Sequence, residues 1–353
     1  MTVHGAAHIA GNYHINTPAT GSFLLDGFEL IKGLGFDAVK VQMSYNFATS
    51  DYDLETWSGA AATLTEMAQL SEMSTLFGDA TCKHYIINTF GFVARDDGDP
   101  WKYGISSAPT MLTSEYTEIY NFAVHLMTTY AGTGKTFVLK NWEGDWALQG
   151  DAATYGFNNI DEQRCELMAE FYRTRYRAIE DARRATAHSG VSVLSAFECN
   201  RVVDALYDRN IPRAVNKVLP RLRGAIDLVS YSAYDSIFDL SLGYSNAWRA
   251  NQATLISSLQ TNLAASISRL QDAAGAPCMI GEWGIPETDL PGGYDAASII
   301  QAVYDVVNTA ACPYHIYWQV FNNEDAGNGR GYYLYKLDGT KSGAGNKFTT
   351  LLA

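Results

Sequence analysis

The chain has 353 residues, with 25 Lys and Arg set against 38 Asp and Glu, for a formal charge of −13. Such an acidic balance disfavours nucleic acid and anionic membrane surfaces as partners, because both require a basic patch to neutralise phosphates. Five cysteines (Cys82, Cys165, Cys199, Cys278, Cys312) at long intervals form neither a disulfide framework nor a C-x-x-C metal or redox site.

In chain order, short apolar runs alternate with longer amphipathic stretches, the rhythm of βα units with parallel strands. A first, weaker strand is expected in "AHIAGNYH" (7–14), followed by a helix over 21–35. The strand "DAVKVQMS" (37–44) precedes a helical stretch near 58–77, and "HYIINTF" (84–90) precedes a helix over 113–132. In that helix Tyr116, Ile119, Tyr120, Ala123, Leu126, Met127 and Tyr130 repeat at three-and-four spacing, so one stripe faces a sheet. "TFVLKNW" (136–142) leads to a helix over 161–190, with Asp161 as start signal and Ser189-Gly190 as stop. "VSVLSAF" (191–197) is followed by a stretch near 211–224, and "IDLVSYSAY" (226–234) by a helix over 253–275. "PCMIGEW" (277–283) is followed by a helix over 295–310, and "HIYWQVF" (315–321) by a tail that holds a hairpin or turn and a closing helix. Eight strands with intervening helices, no long linker and no internal repeat define a (β/α)8 TIM barrel forming one domain over residues 1–353. The opening "MTVHGAAHIAGNYH" lacks a basic segment followed by an apolar stretch, and no segment is long enough to span a membrane.

In such a barrel the active site lies at the carboxyl ends of the strands, so the residues that finish each strand are the ones to interrogate. These are Asn12 and His14, Ser44 to Asn46, Asn88, Asn141 and Glu143, Glu198 and Asn200, Tyr231 and Tyr234, Glu282, and Trp318 with Asn322 to Asp325. Three carboxylates, Glu143, Glu198 and Glu282, are thereby expected over one barrel mouth. Paired carboxylates suit cleavage of a glycosidic bond: one donates a proton to the departing oxygen while the other, ionised, attacks or stabilises the cationic sugar carbon. One residue type in two roles needs two environments, burial for the acid and hydrogen bonds to the ionised partner. "NWEGDW" (141–146) and "MIGEWG" (279–284) supply a glutamate at each of two strand ends.

At these residues the chain resembles the clan A retaining glycoside hydrolases, (β/α)8 barrels with an acid/base Glu ending strand four and a nucleophile Glu ending strand seven. "IGEWG" (280–284) is similar to the clan's strand-seven signature, which implies Glu282 as nucleophile and Glu143 as acid/base. "DLVSYSAY" (227–234) resembles the strand-six segment whose last tyrosine hydrogen-bonds the nucleophile, implying that role for Tyr234. "YWQVFN" (317–322) resembles the segment whose tryptophan floors the sugar site, implying Trp318. The chain departs from the clan where Trp142 stands in place of the Asn that precedes the acid/base, with Asn141 one step earlier. It also shows no clear equivalent of the strand-two Arg or strand-three His of some clan families.

Asn88, Asn141, Trp142 and Trp146 complete the expected substrate contacts, whereas Trp283 is expected to face the helices. The seven histidines show no H-x-H or H-E-x-x-H spacing and no G-x-S-x-G elbow occurs, so no metal, cofactor or serine nucleophile is expected. The expected partner is a carbohydrate substrate. Two other readings share these residues. One is a carbohydrate-binding barrel without turnover; the other is a lyase or isomerase using the three glutamates around a divalent cation.

Overall fold

The computed structural model describes residues 1–9, 21–92, 108–150, 156–238, 251–323 and 330–353. Eight parallel strands close in sequence order into one barrel: β1 (Val3–Ala7), β2 (Ala38–Met43), β3 (His84–Thr89), β4 (Lys135–Lys140), β5 (Val191–Cys199), β6 (Leu228–Ser232), β7 (Cys278–Glu282) and β8 (Tyr314–Tyr317). Helices α1 (Phe23–Gly33), α2 (Leu64–Gln69), α3 (Ser71–Gly78), α4 (Ala108–Thr129), α5 (Gly144–Gln149), α6 (Glu162–Ala185), α7 (Val203–Tyr207), α8 (Ala214–Lys217), α9 (Tyr234–Ile237), α10 (Gln252–Ala274) and α11 (Ala296–Thr309) follow the strands they connect. After β8 an isolated antiparallel bridge, Tyr335 to Lys341, precedes the last helix, α12 (Gly343–Leu351), as the tail of the sequence suggested.

The expected strands hold to within a few residues except the first. β1 is "VHGAA" and ends at Ala7, where the sequence pattern only begins it. This run has few β-branched residues to mark it, because its place in the closing barrel is crowded. A Cβ on Gly5 would lie 2.7 Å from the Ala38 carbonyl and 2.8 Å from Ile316 Cδ1. Asn12 and His14, expected to follow the first strand, lie outside the described residues, as does Asp325. The stretch near 58–77 divides into two helices at Leu70, whose ψ of 145° is extended. Near 211–224, Pro220 lacks the N–H that would continue α8, and a short 3₁₀ turn over Leu219–Leu222 takes its place. The helix expected over 161–190 begins on its Asp161 cap, which accepts from Arg164 N–H, but stops at Ala185 because Thr186 is extended.

Period-two alternation stacks the barrel interior in layers. An apolar layer contains Ala38, Ile86, Val138, Ala196, Leu228, Met279 and Ile316. Two residues further along the same strands stand Lys40, Asn88, Lys140, Glu198, Ser230 and Gly281, and all of the side chains among them are fully buried. A hydrophobic shell between strands and helices encloses the barrel. The interior is thus apolar beneath and charged immediately below the strand ends.

Gly281 is the narrow point of the charged layer. A Cβ there would come within 1.9 Å of Ser230 Oγ and 2.6 Å of Glu198 Oε2. Overpacking of this kind displaces polar groups that have nowhere to go, so Gly281→Ala should lower the unfolding free energy by about 1–3 kcal/mol in chemical denaturation. Wild-type stability in that variant would mean that the layer is loosely packed.

Candidate active site

The mouth of the barrel opens into a cleft of about 670 Å³, lined by Gln42, Phe90, Trp142, Glu143, Trp146, Tyr234, Glu282, Trp318 and Tyr332 together with Ile9, Asn323 and Arg330. Five of the sequence-expected site residues besides Trp142 therefore share one cavity: Glu143, Glu282, Trp318, Tyr234 and Trp146. Trp142 is 41% exposed and presents a ring to solvent at the entrance. Such a wall of aromatic rings around few polar groups suits the apolar faces of a sugar as well as its hydroxyls.

Glu143 sits directly after β4 in a left-handed backbone conformation, φ 27° and ψ 75°, which is sterically costly for any residue with a Cβ. Its carboxylate accepts from Ser232 Oγ at 2.6 Å, and its own N–H donates to Glu198 Oε1 at 3.1 Å. Ser232 is also the register partner of Glu282, so β6 brings the two cleft carboxylates side by side.

Glu282 reaches the cleft through an irregularity in β7. Met279 belongs to the interior layer and Gly281 follows it inward, so strict alternation would send the next residue outward. The register between β6 and β7 shifts at Tyr231/Ser232, however, and this bulge turns Glu282 inward as well. Alternation then resumes. Trp283 faces outward as expected, fully buried and stacked on His315 with ring centroids 5.1 Å apart.

Lys40, fully buried on β2, donates to Glu282 Oε2 at 2.6 Å and to the Gly281 carbonyl at 3.0 Å. Its ammonium lies 5.5 Å from the Trp318 ring centroid. The hydrogen bond that the resemblance assigned to Tyr234 is therefore made by Lys40. Tyr234 lines the cleft and packs edge-on against Tyr332 at 5.8 Å, with no hydrogen bond to Glu282. Trp318 follows β8 on the same row as Ile316, and the peptide joining it to Gln319 is cis.

Two expected contacts are placed elsewhere. Asn141 follows the inward Lys140 and turns sideways: its amide Oδ1 accepts from Glu198 N–H at 2.8 Å and its Nδ2 donates to the Glu198 carbonyl at 3.2 Å. It ties β4 to β5 rather than facing the cleft. Asn88 is fully buried one row below Phe90, in the charged layer beside Lys140, and both of its amide atoms lack a hydrogen-bond partner. Glu198 is fully buried too, with Lys140 Nζ at 2.8 Å from Oε1 and Ser230 Oγ donating to Oε2 at 2.7 Å. Among the described residues no group of three or more His, Cys, Asp or Glu could hold a metal ion.

These surroundings separate the three carboxylates. Burial, then the charge of Glu282, push the Glu143 carboxyl well above the usual glutamate range, against a smaller opposing effect of Ser232. Burial also acts on Glu198, but the Lys140 and Lys40 ammonium groups outweigh it and hold that carboxyl below its usual range. Burial lowers Lys140 to about 8, and the facing Glu198 opposes the shift. Lys40 is the reverse case: burial is overcome by Glu282 and Glu198, and its ammonium is held above its ordinary value. Lys40, Lys140 and Ser232 were not singled out from the sequence. The available signal was a lysine on the inward-facing phase of each of two apolar strands, "DAVKVQMS" and "TFVLKNW".

No protein-family model matches the chain, and no curated protein sequence matches it. Solved structures do resemble it. An exo-β-1,4-mannosidase from Opitutaceae bacterium strain TAV5 superposes with a TM-score of 0.64 at 14% identity, covering 100% of this chain and 59% of that one. The chain thus spans less than two thirds of the mannosidase. A hyperthermophilic β-glucosidase from Pyrococcus furiosus gives 0.58 at 12% identity over 99% of this chain and 94% of that one. A broad-specificity endoglucanase from Bacteroides salanitronis gives 0.55 at 16% identity over 97% and 86%. Likeness at these identities establishes the shared (β/α)8 barrel.

The raised Glu143 carboxyl has a consequence for stability. Between the unfolded and the raised folded value the folded protein binds more protons than the unfolded chain, so this group makes stability fall as pH rises through that window. Glu143→Gln removes the effect. Its Tm should match wild type near pH 4 and exceed it by on the order of 2 °C or more at pH 8; an equal or lower Tm at pH 8 would show that Glu143 is not held protonated.

Proposed function

We propose that the protein is a retaining glycoside hydrolase acting on β-linked sugars. The observation that carries this reading is the pairing of two buried carboxylates on one aromatic-lined cleft in opposite surroundings: Glu143 on a serine hydroxyl and Glu282 on a lysine ammonium. The barrel shared with a mannosidase, a glucosidase and an endoglucanase supports it.

In the first step Glu282 attacks the anomeric carbon with a carboxylate oxygen. The glycosidic C–O bond breaks, and the Glu143 proton passes to the departing oxygen, leaving a glycosyl ester on Glu282. Lys40 donates to the Glu282 carboxylate and orients it for attack, and the second bond of the same ammonium, to the Gly281 carbonyl, fixes Lys40 in place. Ester formation removes the Glu282 charge, which is one of the influences that raise Glu143. Glu143 therefore becomes more acidic after giving up its proton and is suited to take one from water. In the second step water attacks the same carbon, the ester C–O bond breaks, and both carboxyl groups return to their starting states.

A cation-dependent lyase or isomerase would need the three glutamates free to ligate a metal ion. Here two ammonium groups, Lys40 and Lys140, already sit among them, and this favours hydrolysis without a bound cation. Trp318, Trp142 and Trp146 serve as sugar platforms in this reading, with Trp318 beside the reacting glutamate.

Removal of the two carboxyls should be distinguishable with 4-nitrophenyl β-glycosides. Glu143→Ala should lose about 10²–10⁴ in rate on poor leaving groups and far less on activated ones. Added azide should restore turnover to a product of retained configuration. Glu282→Ala should lose activity on every substrate, and azide should yield the inverted glycosyl azide. Indifference of both folded variants to azide, or full activity of Glu143→Ala on a natural glycan, would overturn the assignment.

A further inference from the structure

Glu198 is a third carboxylate directly below the pair, and the reaction as written does not use it. It is fully buried, so no substrate reaches it. Each of its oxygens is nevertheless engaged. Oε1 accepts the Glu143 N–H at 3.1 Å and faces Lys140 Nζ at 2.8 Å, while Oε2 accepts Ser230 Oγ at 2.7 Å. Its backbone N–H and carbonyl are held by the Asn141 amide, two residues before Glu143. The chain on either side of Glu143 is crowded against the same strand, since a Cβ on Gly144 would lie 2.5 Å from the Glu198 carbonyl.

We propose that Glu198, paired with Lys140, is the positioning residue for Glu143: its carboxylate fastens the strained backbone of Glu143 and supplies a fixed negative charge that keeps a proton on the cleft carboxyl.

The geometry supplies both halves of this role. A residue at φ 27° persists only where its surroundings over-determine it. Here the N–H of that residue is aimed at a charged acceptor, the stronger kind of hydrogen bond. The charged and titratable groups facing Glu198 are Lys140 from β4, Lys40 from β2 and Glu143 itself, with Ser230 from β6. Those facing Glu143 are Glu282 from β7, Lys40 from β2, Glu198 from β5 and Tyr234 from α9, with Ser232 from β6, and Arg330 lines the same cleft. Among the buried groups, three carboxylates are set against two ammonium groups, an excess that one retained proton balances. Glu198 is held ionised by two lysines and Glu282 is bonded to one of them, so the retained proton falls on Glu143. This inference deepens the hydrolase reading and takes Glu143 as its acid.

The test is the ¹³C titration of the Glu143 carboxyl in glutamate-labelled protein, its signal assigned by loss in Glu143→Gln. No turnover is required, so the result stands apart from the azide experiments, which test the hydrolase reading itself. In wild type the Glu198 carboxyl should stay ionised over the whole range in which Glu143 titrates. Glu198→Gln removes the negative charge and leaves Lys140 facing the site, so the Glu143 midpoint should fall by about one pH unit or more. The double variant Glu198→Gln/Lys140→Met removes a neutral pair, and its midpoint should return to within a few tenths of wild type. A packing role would instead lower both variants alike, because a loosened site admits water. Equal shifts in the two, no shift in either, or co-titration of Glu198 with Glu143 in wild type would overturn the proposal. The wild-type titration alone decides if neither variant folds.

Discussion

The structure turns on five buried charged side chains: Lys40, Lys140 and Glu198 inside the barrel, and Glu143 and Glu282 directly above them at its mouth. Glu282 is bound to Lys40 and Glu198 to Lys140, and the odd group is Glu143, whose carboxyl rests on a serine. Burying ionised groups is expensive, and the cost is offset only when each meets a partner of opposite sign with its remaining lone pairs satisfied. Glu198 meets both conditions with Lys140, the Glu143 N–H and Ser230, while Glu282 has Lys40 on one oxygen and faces the cleft. A third carboxylate with no ammonium of its own is most readily accommodated as the neutral acid, so the protonation pattern follows from three buried carboxylates held against two buried ammonium groups.

The barrel makes that count possible. Inward residues recur at every second position along each strand, so the apolar Ala38, Ile86, Val138, Ala196 and Leu228 are followed two residues later by Lys40, Asn88, Lys140, Glu198 and Ser230. The apolar row excludes water from below, and the aromatic rims of the cleft screen the layer from above. Gly281 supplies the missing volume, since any side chain there would strike Ser230 and Glu198. Charge, packing and the bulge that aims Glu282 thus depend on the same few residues of β6 and β7.

Much of this was legible in the sequence because strand ends announce themselves. Glu143, Glu282, Trp142, Trp146, Tyr234 and Trp318 stand at or just beyond the ends of apolar runs, and all six line the cleft. The first strand was misplaced because its five small or polar residues carry little of the pattern that marks the others. Asn88 and Asn141 were expected in the cleft. One lies a row too deep, and the other points along the sheet to the backbone of Glu198. The lysines were overlooked for a different reason. A cation inside a strand reads locally as a break in apolar alternation, and its meaning appears only when barrel closure sets the β2 lysine across the interior from β7, 241 residues away in the chain. Pairwise electrostatics of that range leave no local signature. The sequence resemblance gave the role of fixing Glu282 to Tyr234, and the structure gives it to Lys40.

In the proposed reaction Glu282 forms a covalent bond to the sugar, and that bond can be trapped. An activated 2-deoxy-2-fluoro β-glycoside, which slows the breakdown of a glycosyl ester more than its formation, should label the protein with a mass increase of one fluorosugar. Peptide mass spectrometry after pepsin digestion should place that increase on the "IGEWG" segment at Glu282. A label on Glu198 or Glu143, or hydrolysis of β-glycosides to an inverted anomer with no label at all, would contradict it.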